Sequence, residues 1–323
     1  MDGLLIIDKP VGPTSHDVVA RMRRALGERR IGHTGTLDPA ATGVLPLVLG
    51  RATRLAQFLT ESDKSYEAVV RFGFATDTHD AQGHPVGPVR PVTVSRDEID
   101  RALEPFRGTF PQQPPAFSAK KIGGKRSHKL ARARARDARL KPTRDGSASD
   151  LRDPRDLSVA SALPAAVSVT VSRLEIVRMD ADCVTLSVDC SAGFYVRSLA
   201  HELGGRLGVG AHLAALRRTR AGDFTLDRAL ALERAERDPA AAAAAVVRMA
   251  DALPRLPAVA LTAEGVRRAH HGCRLGAADV ADGRFFVAGG QPPLARLLDV
   301  AGDLVGIGRI EAAGVLHPCV ILG

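Results

Sequence analysis

Apolar and polar positions change period several times along the chain, and each change marks an element. Residues 3–9, GLLIIDK, form a short apolar run that predicts a buried strand. PVGPTS is turn chemistry, since Pro presets φ and Gly tolerates positive φ. Ser15 can cap a helix to about Leu26, with Val18, Val19, Met22, Ala25 and Leu26 on one apolar face and Gly27 as its stop. VLPLVLG and RATRLAQFL are apolar enough to be core, and SYEAVVRFGFAT alternates in part, as a strand does. TDTHDAQG is polar and turn-like, and SRDEIDRALEPF reads as a capped helix with acids in its first turn. AAVSVTVSRLEIVRM and CVTLSVDCSAG read as paired strands. FYVRSLAHELGGRLGVG then returns to helical spacing, with Leu199, Leu203 and Leu207 four apart. Residues 233–257 read as a helical connector ending at prolines. RFFVAGG, LARLLDV, DLVGIGRIEAA and HPCVILG predict a small separate β domain.

Composition narrows the class. A chain of 323 residues suggests about two domains. No apolar run approaches the ~20 residues of a membrane helix, and MDGLLIIDKPVG lacks the plan of a signal peptide. Cys183, Cys190, Cys273 and Cys319 lie far apart with no CxxC pair, and the histidines show no ligand spacing. The expectation is a reduced cytoplasm and no structural metal. The net charge of +9 is concentrated: residues 120–145 hold eleven Lys or Arg against two Asp, so the rest of the chain balances. A coding bias towards Arg explains the ARARAR stretch. It does not explain why Lys120, Lys121, Lys125, Lys129 and Lys141, five of the seven lysines, fall here. A basic segment in a neutral chain is the footprint of a polyanion partner, although a solvated basic face is the plain alternative.

The candidate chemistry centres on GHTGTLDPAATGVLP, residues 32–46. Asp38 is the only acid between Glu28 and Glu61. Asp before Pro is a common helix start, yet Gly43 and Pro46 leave room for barely two turns. The Gly/Thr-rich approach lets backbone come close to a ligand, and Pro39 restricts Asp38 to extended geometry. The chain has no Trp and only two Tyr, Tyr66 and Tyr195. Each is either a half-buried strand residue or part of a pocket in which a flat base stacks. Read as strand, positions 195 and 197 share a face, so Tyr195 and Arg197 could reach one pocket. There Arg197 could aim the Asp38 carboxylate, or it could be a plain surface charge.

GLLIIDKPVGPTSHDVV, GHTGTLDPAATGVLPLVLGRAT, SYEAVVRFGFATDTHDAQG and CSAGFYVRSLAHELGGRLGVGAHLAALRRTRAG, in this order, closely resemble the bacterial TruB family of tRNA pseudouridine synthases. The resemblance covers nearly all of residues 3–225, and the tail resembles the family's PUA-like domain more weakly. It implies an α+β fold, a mixed and mainly antiparallel sheet with flanking helices, plus a small C-terminal β-barrel. The implied domains are a catalytic domain at 1–235 with a basic RNA-gripping insertion at about 120–163, a connector at 236–257 and a PUA-like RNA-binding domain at 258–323. The implied activity is isomerisation of uridine 55 in the T loop of tRNA. Asp38 matches the catalytic aspartate, and Lys9 with Pro10 matches a KP motif beside it. His33 matches a histidine that holds the flipped nucleotide, and Tyr66 a tyrosine that stacks on the uracil. Tyr195 and Leu216 match pocket positions, and Arg197 matches the arginine paired with the carboxylate. Lys120, Lys121, Lys125, Arg126 and Lys129 are RNA-backbone candidates.

No cofactor, metal or obligatory protein partner is implied, and the expected form is a cytoplasmic monomer that takes the tRNA T arm as its substrate. Three readings compete. A guide-dependent synthase shares the core but acts in a complex. A tRNA-binding chaperone would not need Asp38, Tyr66 and Arg197 together. A glycosidase would want a second carboxylate, for which Asp77, Asp80 and Glu202 are candidates without a motif.

Overall fold

The computed structural model describes residues 1–116, 164–283, 294–311 and 315–322, with the backbone of 121–122 and 125–126. Its elements begin with β1 (Gly3–Lys9), α1 (Ser15–Leu26), β2 (Ile31–His33), β3 (Thr42–Leu49), α2 (Ala56–Thr60) and β4 (Lys64–Phe72). Next come β5 (Ala75–Thr76), β6 (Pro85–Val86), α3 (Arg96–Leu103), β7 (Gly108–Gln112), β8 (Lys121–Ile122) and β9 (Lys125–Arg126). They are followed by β10 (Val167–Asp180), β11 (Cys183–Cys190), α4 (Val196–Arg206), β12 (Ala211–Ala221), β13 (Phe224–Thr225), β14 (Leu230–Ala231), α5 (Leu232–Arg237) and α6 (Pro239–Ala244). β15 (Ala258–Ala260), α7 (Ala263–His270), β16 (Leu294–Leu298), β17 (Leu304–Glu311) and β18 (Val315–Ile321) close the chain. Contacts divide it into two units, Met1–Ser62 with Arg218–Gly323, and Asp63–Arg217.

In the first unit the Leu4–Ile7 run of β1 is apolar without alternation because both of its faces are buried, and the register of β1 with antiparallel β3 runs from Gly3↔Leu49 to Lys9↔Gly43. β2 also pairs antiparallel with β3, and β14 lies parallel to β1. Leu4, Ile6, Val44, Val48, Leu55 and Phe224 form a core that extends to Leu304, Ile307 and Leu322. β15–β18 form a four-stranded sheet with its own small core around Leu261, Leu275, Leu297 and Leu316. In the second unit β4, β11, β10 and β7 are antiparallel neighbours in that order. α3 and α4 supply Ile99, Leu103, Leu199 and Leu203 to the core on their face.

Most of the expected elements are present, with informative exceptions. The cap of α1 is Thr14, not Ser15: its hydroxyl accepts from the Asp17 amide while the Asp17 carboxylate accepts from the Thr14 amide. Ser15 is instead buried and used elsewhere. Asp38 does not start a helix. The Ala41 amide donates to the Asp38 carbonyl at 3.0 Å, a single turn around Pro39 and Ala40 that feeds straight into β3. The stretch read as one helical connector breaks at Asp238, because Pro239 disfavours helical geometry in the residue before it. Further on, Val247 exchanges two backbone hydrogen bonds with Leu4 of β1. RFFVAGG lies outside the described residues, as do Lys120, Lys129 and the side chains of Lys121, Lys125 and Arg126.

Candidate active site

Asp38 sits on a turn that is fixed by its backbone. Buried Ser15, at the start of α1, both accepts from the Leu37 amide at 2.8 Å and donates to the Leu37 carbonyl at 3.1 Å. The Gly12 amide and the Lys9 ammonium donate to the Pro39 carbonyl at 2.9 and 3.3 Å. The residues immediately on both sides of Asp38 are therefore tied to β1 and α1. Further out, Arg218 of β12 clasps the loop at two places: Nε donates to the Val44 carbonyl at 2.7 Å and an Nη to the Gly35 carbonyl at 3.2 Å. Its side chain is almost completely buried, and the bond to Val44 forms away from water. Gly43 makes the clasp possible. It has φ of 100°, and a Cβ there would stand 2.1 Å from the Arg218 carbonyl oxygen. Gly43→Ala is therefore expected to cost about 2 kcal/mol or more through clash and strain. A thermal melt unchanged from the native chain would contradict this.

Two more side chains complete this group. Lys9 is fully buried, and its ammonium also donates to the Pro10 carbonyl at 2.8 Å. Burial pushes its pKa down to about 8; Asp38 opposes the shift and Arg218 adds to it. Above about pH 8 the unfolded chain keeps this proton longer than the folded one, so folding gains stability as pH rises towards about 10.5. The urea midpoint of the native chain should thus rise relative to Lys9→Met across that window, and a constant difference would contradict the assignment. His33, at the end of β2, is half-buried. Burial, with His16 and Arg218 nearby, holds its pKa down to about 4. Its Nδ1 accepts from the Gly35 amide at 3.4 Å, and its ring meets His16 edge-on at 5.1 Å. It is thus a neutral imidazole beside the loop at ordinary pH.

The remaining candidates belong to the second unit. Tyr66 lies on β4 opposite Val188 of β11, and Tyr66 and Leu216 of β12 both pack against this unit's core. Tyr195 and Arg197 do not share a strand face. Tyr195 is the N-cap residue of α4 and Arg197 lies in its first turn, because the helical spacing of Leu199 and Leu203 extends one turn further back than the strand reading allowed. The Gln112 side chain clamps Tyr195, its Oε1 accepting from the Tyr195 amide at 2.7 Å and its Nε2 donating to the carbonyl at 3.0 Å. Arg197 is buried, not a surface charge. It donates to the Thr78 carbonyl at 3.4 Å and lies 3.8 Å from Asp80 Oδ2. Asp80, weighed above only as a second glycosidase carboxylate, is buried, and its Oδ1 accepts from Thr78 Oγ1 at 2.6 Å and the Gln82 amide at 3.0 Å. Gln112, Arg218 and Asp80 were missed as site supports because each acts on backbone or on another side chain distant in sequence.

Residues 23–145 match the model of the TruB family pseudouridylate synthase N-terminal domain, and residues 197–245 that of the tRNA pseudouridylate synthase B C-terminal domain. A tRNA pseudouridine synthase B from Solibacter usitatus is 40% identical over 334 residues, covering 100% of both chains. One from Mycobacterium sp. is 38% identical and covers 99% of this chain and 97% of its own. Among solved structures, a chain in a Cbf5-Nop10-Gar1 complex is 26% identical with a TM-score of 0.68, covering 99% of this chain and 85% of that one. With a near-full-length match at this identity, this chain belongs to the TruB family of pseudouridylate synthases.

Proposed function

We propose that this enzyme isomerises uridine to pseudouridine at position 55 in the T loop of tRNA, with Asp38 as its catalytic carboxylate. The observation that carries the assignment is the immobilised turn: Ser15 on Leu37, Gly12 and Lys9 on Pro39, and Arg218 on Gly35 hold the backbone around Asp38. Catalysis by a single carboxylate demands such preorganisation.

The chemistry proceeds by cleavage of C1′–N1, rotation of the uracil and formation of C1′–C5; the C5 proton is then lost and N1 is protonated. Uracil leaves as a delocalised anion, so one carboxylate suffices where glycosidases use two. Asp38 either attacks C1′ or removes the C2′ proton, and both routes begin from the same placed oxygen. Tyr66, Tyr195 and Leu216 form the walls against which the base stacks, His33 holds the flipped nucleotide, and Arg197 pairs with the Asp38 carboxylate. Flipping costs a few kcal/mol. Lys120, Lys121, Lys125, Arg126 and Lys129 offset that cost through phosphate contacts and counterion release.

In this reading the catalytic domain spans 1–235, with 236–257 linking it to a PUA-like RNA-binding domain at 258–323. Such a domain is supported by the four-stranded sheet β15–β18. The protein works as a cytoplasmic monomer. Among the described residues no helix is long and apolar enough to cross a membrane. A guide-dependent reading draws on the likeness to Cbf5, but the near-full-length relatives are named tRNA pseudouridine synthase B. The test is to map pseudouridine by carbodiimide modification and primer extension in a tRNA transcript treated with the purified chain. A single stop at position 55, absent from a transcript carrying cytidine there, is expected. Stops elsewhere would refute the position, and none at all the stand-alone activity.

A further inference from the structure

One feature of the second unit has no part in the chemistry above. The rings of His79 and His201 stack face to face, with centroids 3.8 Å apart and planes within 3°. Among the described residues neither buried Nδ1 atom has a hydrogen-bond partner, an arrangement that costs free energy and that a purely space-filling pair would avoid. His79 also has φ of 64°, a left-handed conformation that is uncommon outside glycine. Strain of this kind persists where the surroundings over-determine it, often at functional sites.

The surroundings do over-determine it. The His79 amide donates to the Thr76 carbonyl, and its carbonyl accepts from the Leu213 amide at 3.0 Å. The next residue is Asp80, whose Oδ1 is used by Thr78 and Gln82 and whose Oδ2 faces Arg197. On α4, residues 197 and 201 lie one turn apart on one face. Two adjacent loop residues thus meet two side chains one turn apart: Asp80 against Arg197, and His79 against His201.

We infer that His201 is a positioning residue for Arg197: by stacking on His79 it seats Asp80 against the guanidinium and so sets the direction in which Arg197 points. The inference rests on the proposed tRNA isomerisation, in which Arg197 aims the catalytic carboxylate.

The stack requires neutral rings. Burial lowers the pKa of both histidines, His79 to about 4 with further lowering from His201 and Arg197 and opposition from Asp80 and Asp77. An opened loop takes up protons more readily, so the closed loop loses stability as pH falls from about 6.5 towards about 4. Two histidines take up two protons on opening, and the acid limb of activity is correspondingly steep.

The experiment compares His201→Phe, which keeps a flat ring, with His201→Leu, which keeps bulk alone. The readouts are kcat and KM for tRNA, a thermal melt and the pH profile. His201→Leu should lower kcat on the order of 10- to 100-fold with KM within about twofold, as a displaced catalytic group does. His201→Phe should recover to within about threefold and show a shallower acid limb. Unchanged kcat in His201→Leu, equal impairment of both variants, or a joint change of kcat and KM would overturn the inference. Should His201→Leu fail to fold, His79→Asn replaces it, since Asn tolerates positive φ but offers no stacking ring; native kcat in that variant would overturn the inference equally. A native chain inactive on tRNA refutes the proposed function and this inference with it, whereas an active native chain beside an unimpaired His201→Leu refutes the inference alone.

Discussion

Asp38→Asn is expected to bind tRNA as the native chain does and to lose at least about 10⁴-fold in isomerisation, the scale seen when a reacting side chain is removed. The substitution is nearly isosteric. The turn it occupies is held by backbone groups, namely the Ala41 amide on the Asp38 carbonyl and the Gly12 and Lys9 donors on Pro39, and none of these needs the carboxylate. The carboxylate does favour the buried Lys9 ammonium, so folding should lose about 0.5–3 kcal/mol while the turn itself persists. Binding should survive too, because phosphate contacts dominate RNA affinity. What the amide lacks is the negative oxygen that attacks C1′ or takes the C2′ proton. Single-turnover rates at saturating enzyme separate this chemical loss from weakened binding. Residual turnover above about 1% of native would mean that another group does the work.

Arg218→Met should have the largest effect on stability. The side chain is 1% exposed and spans the loop from Gly35 to Val44. Methionine fills much of the volume but takes the arginine's donors from the buried Val44 carbonyl, at about 1–3 kcal/mol, and from the part-buried Gly35 carbonyl, at about 1–2 kcal/mol. The combined loss of about 2–5 kcal/mol corresponds to a melting temperature lower by roughly 5–15 °C. Activity should fall as well, since a displacement of about 1 Å at the carboxylate can cost on the order of 100-fold. A variant that melts with the native chain would show that β1, α1 and the Pro39 turn hold the loop unaided.

Much of this candidate site was legible in the sequence. Asp38 stood out because no other acid lies near it in sequence, and its motif carried Lys9, His33, Tyr66, Tyr195, Arg197 and Leu216 along by resemblance. The apolar run of β1 and the helical spacing of α1 and α4 were legible for the reason that apolar pattern reports burial directly. Three things were not. A cap one residue earlier at Thr14 looks the same as a cap at Ser15 until the hydroxyl of Ser15 is seen on Leu37. Asp before Pro suits a helix start and a β-turn alike, and only the strand that follows decides between them. Arg218, Gln112 and Asp80 act across 183, 83 and 117 positions of sequence on Gly35, Tyr195 and Arg197, and no local pattern reports such contacts.

A stand-alone synthase makes pseudouridine in tRNA by itself. Its most direct test is tritium release from C5 of labelled uridine in an unmodified tRNA transcript, using purified protein without guide RNA, partner proteins or other additions. Release should plateau at one tritium per tRNA with the native chain and be absent with Asp38→Asn at equal tRNA binding. Tight binding of tRNA by the native chain with no release would contradict it.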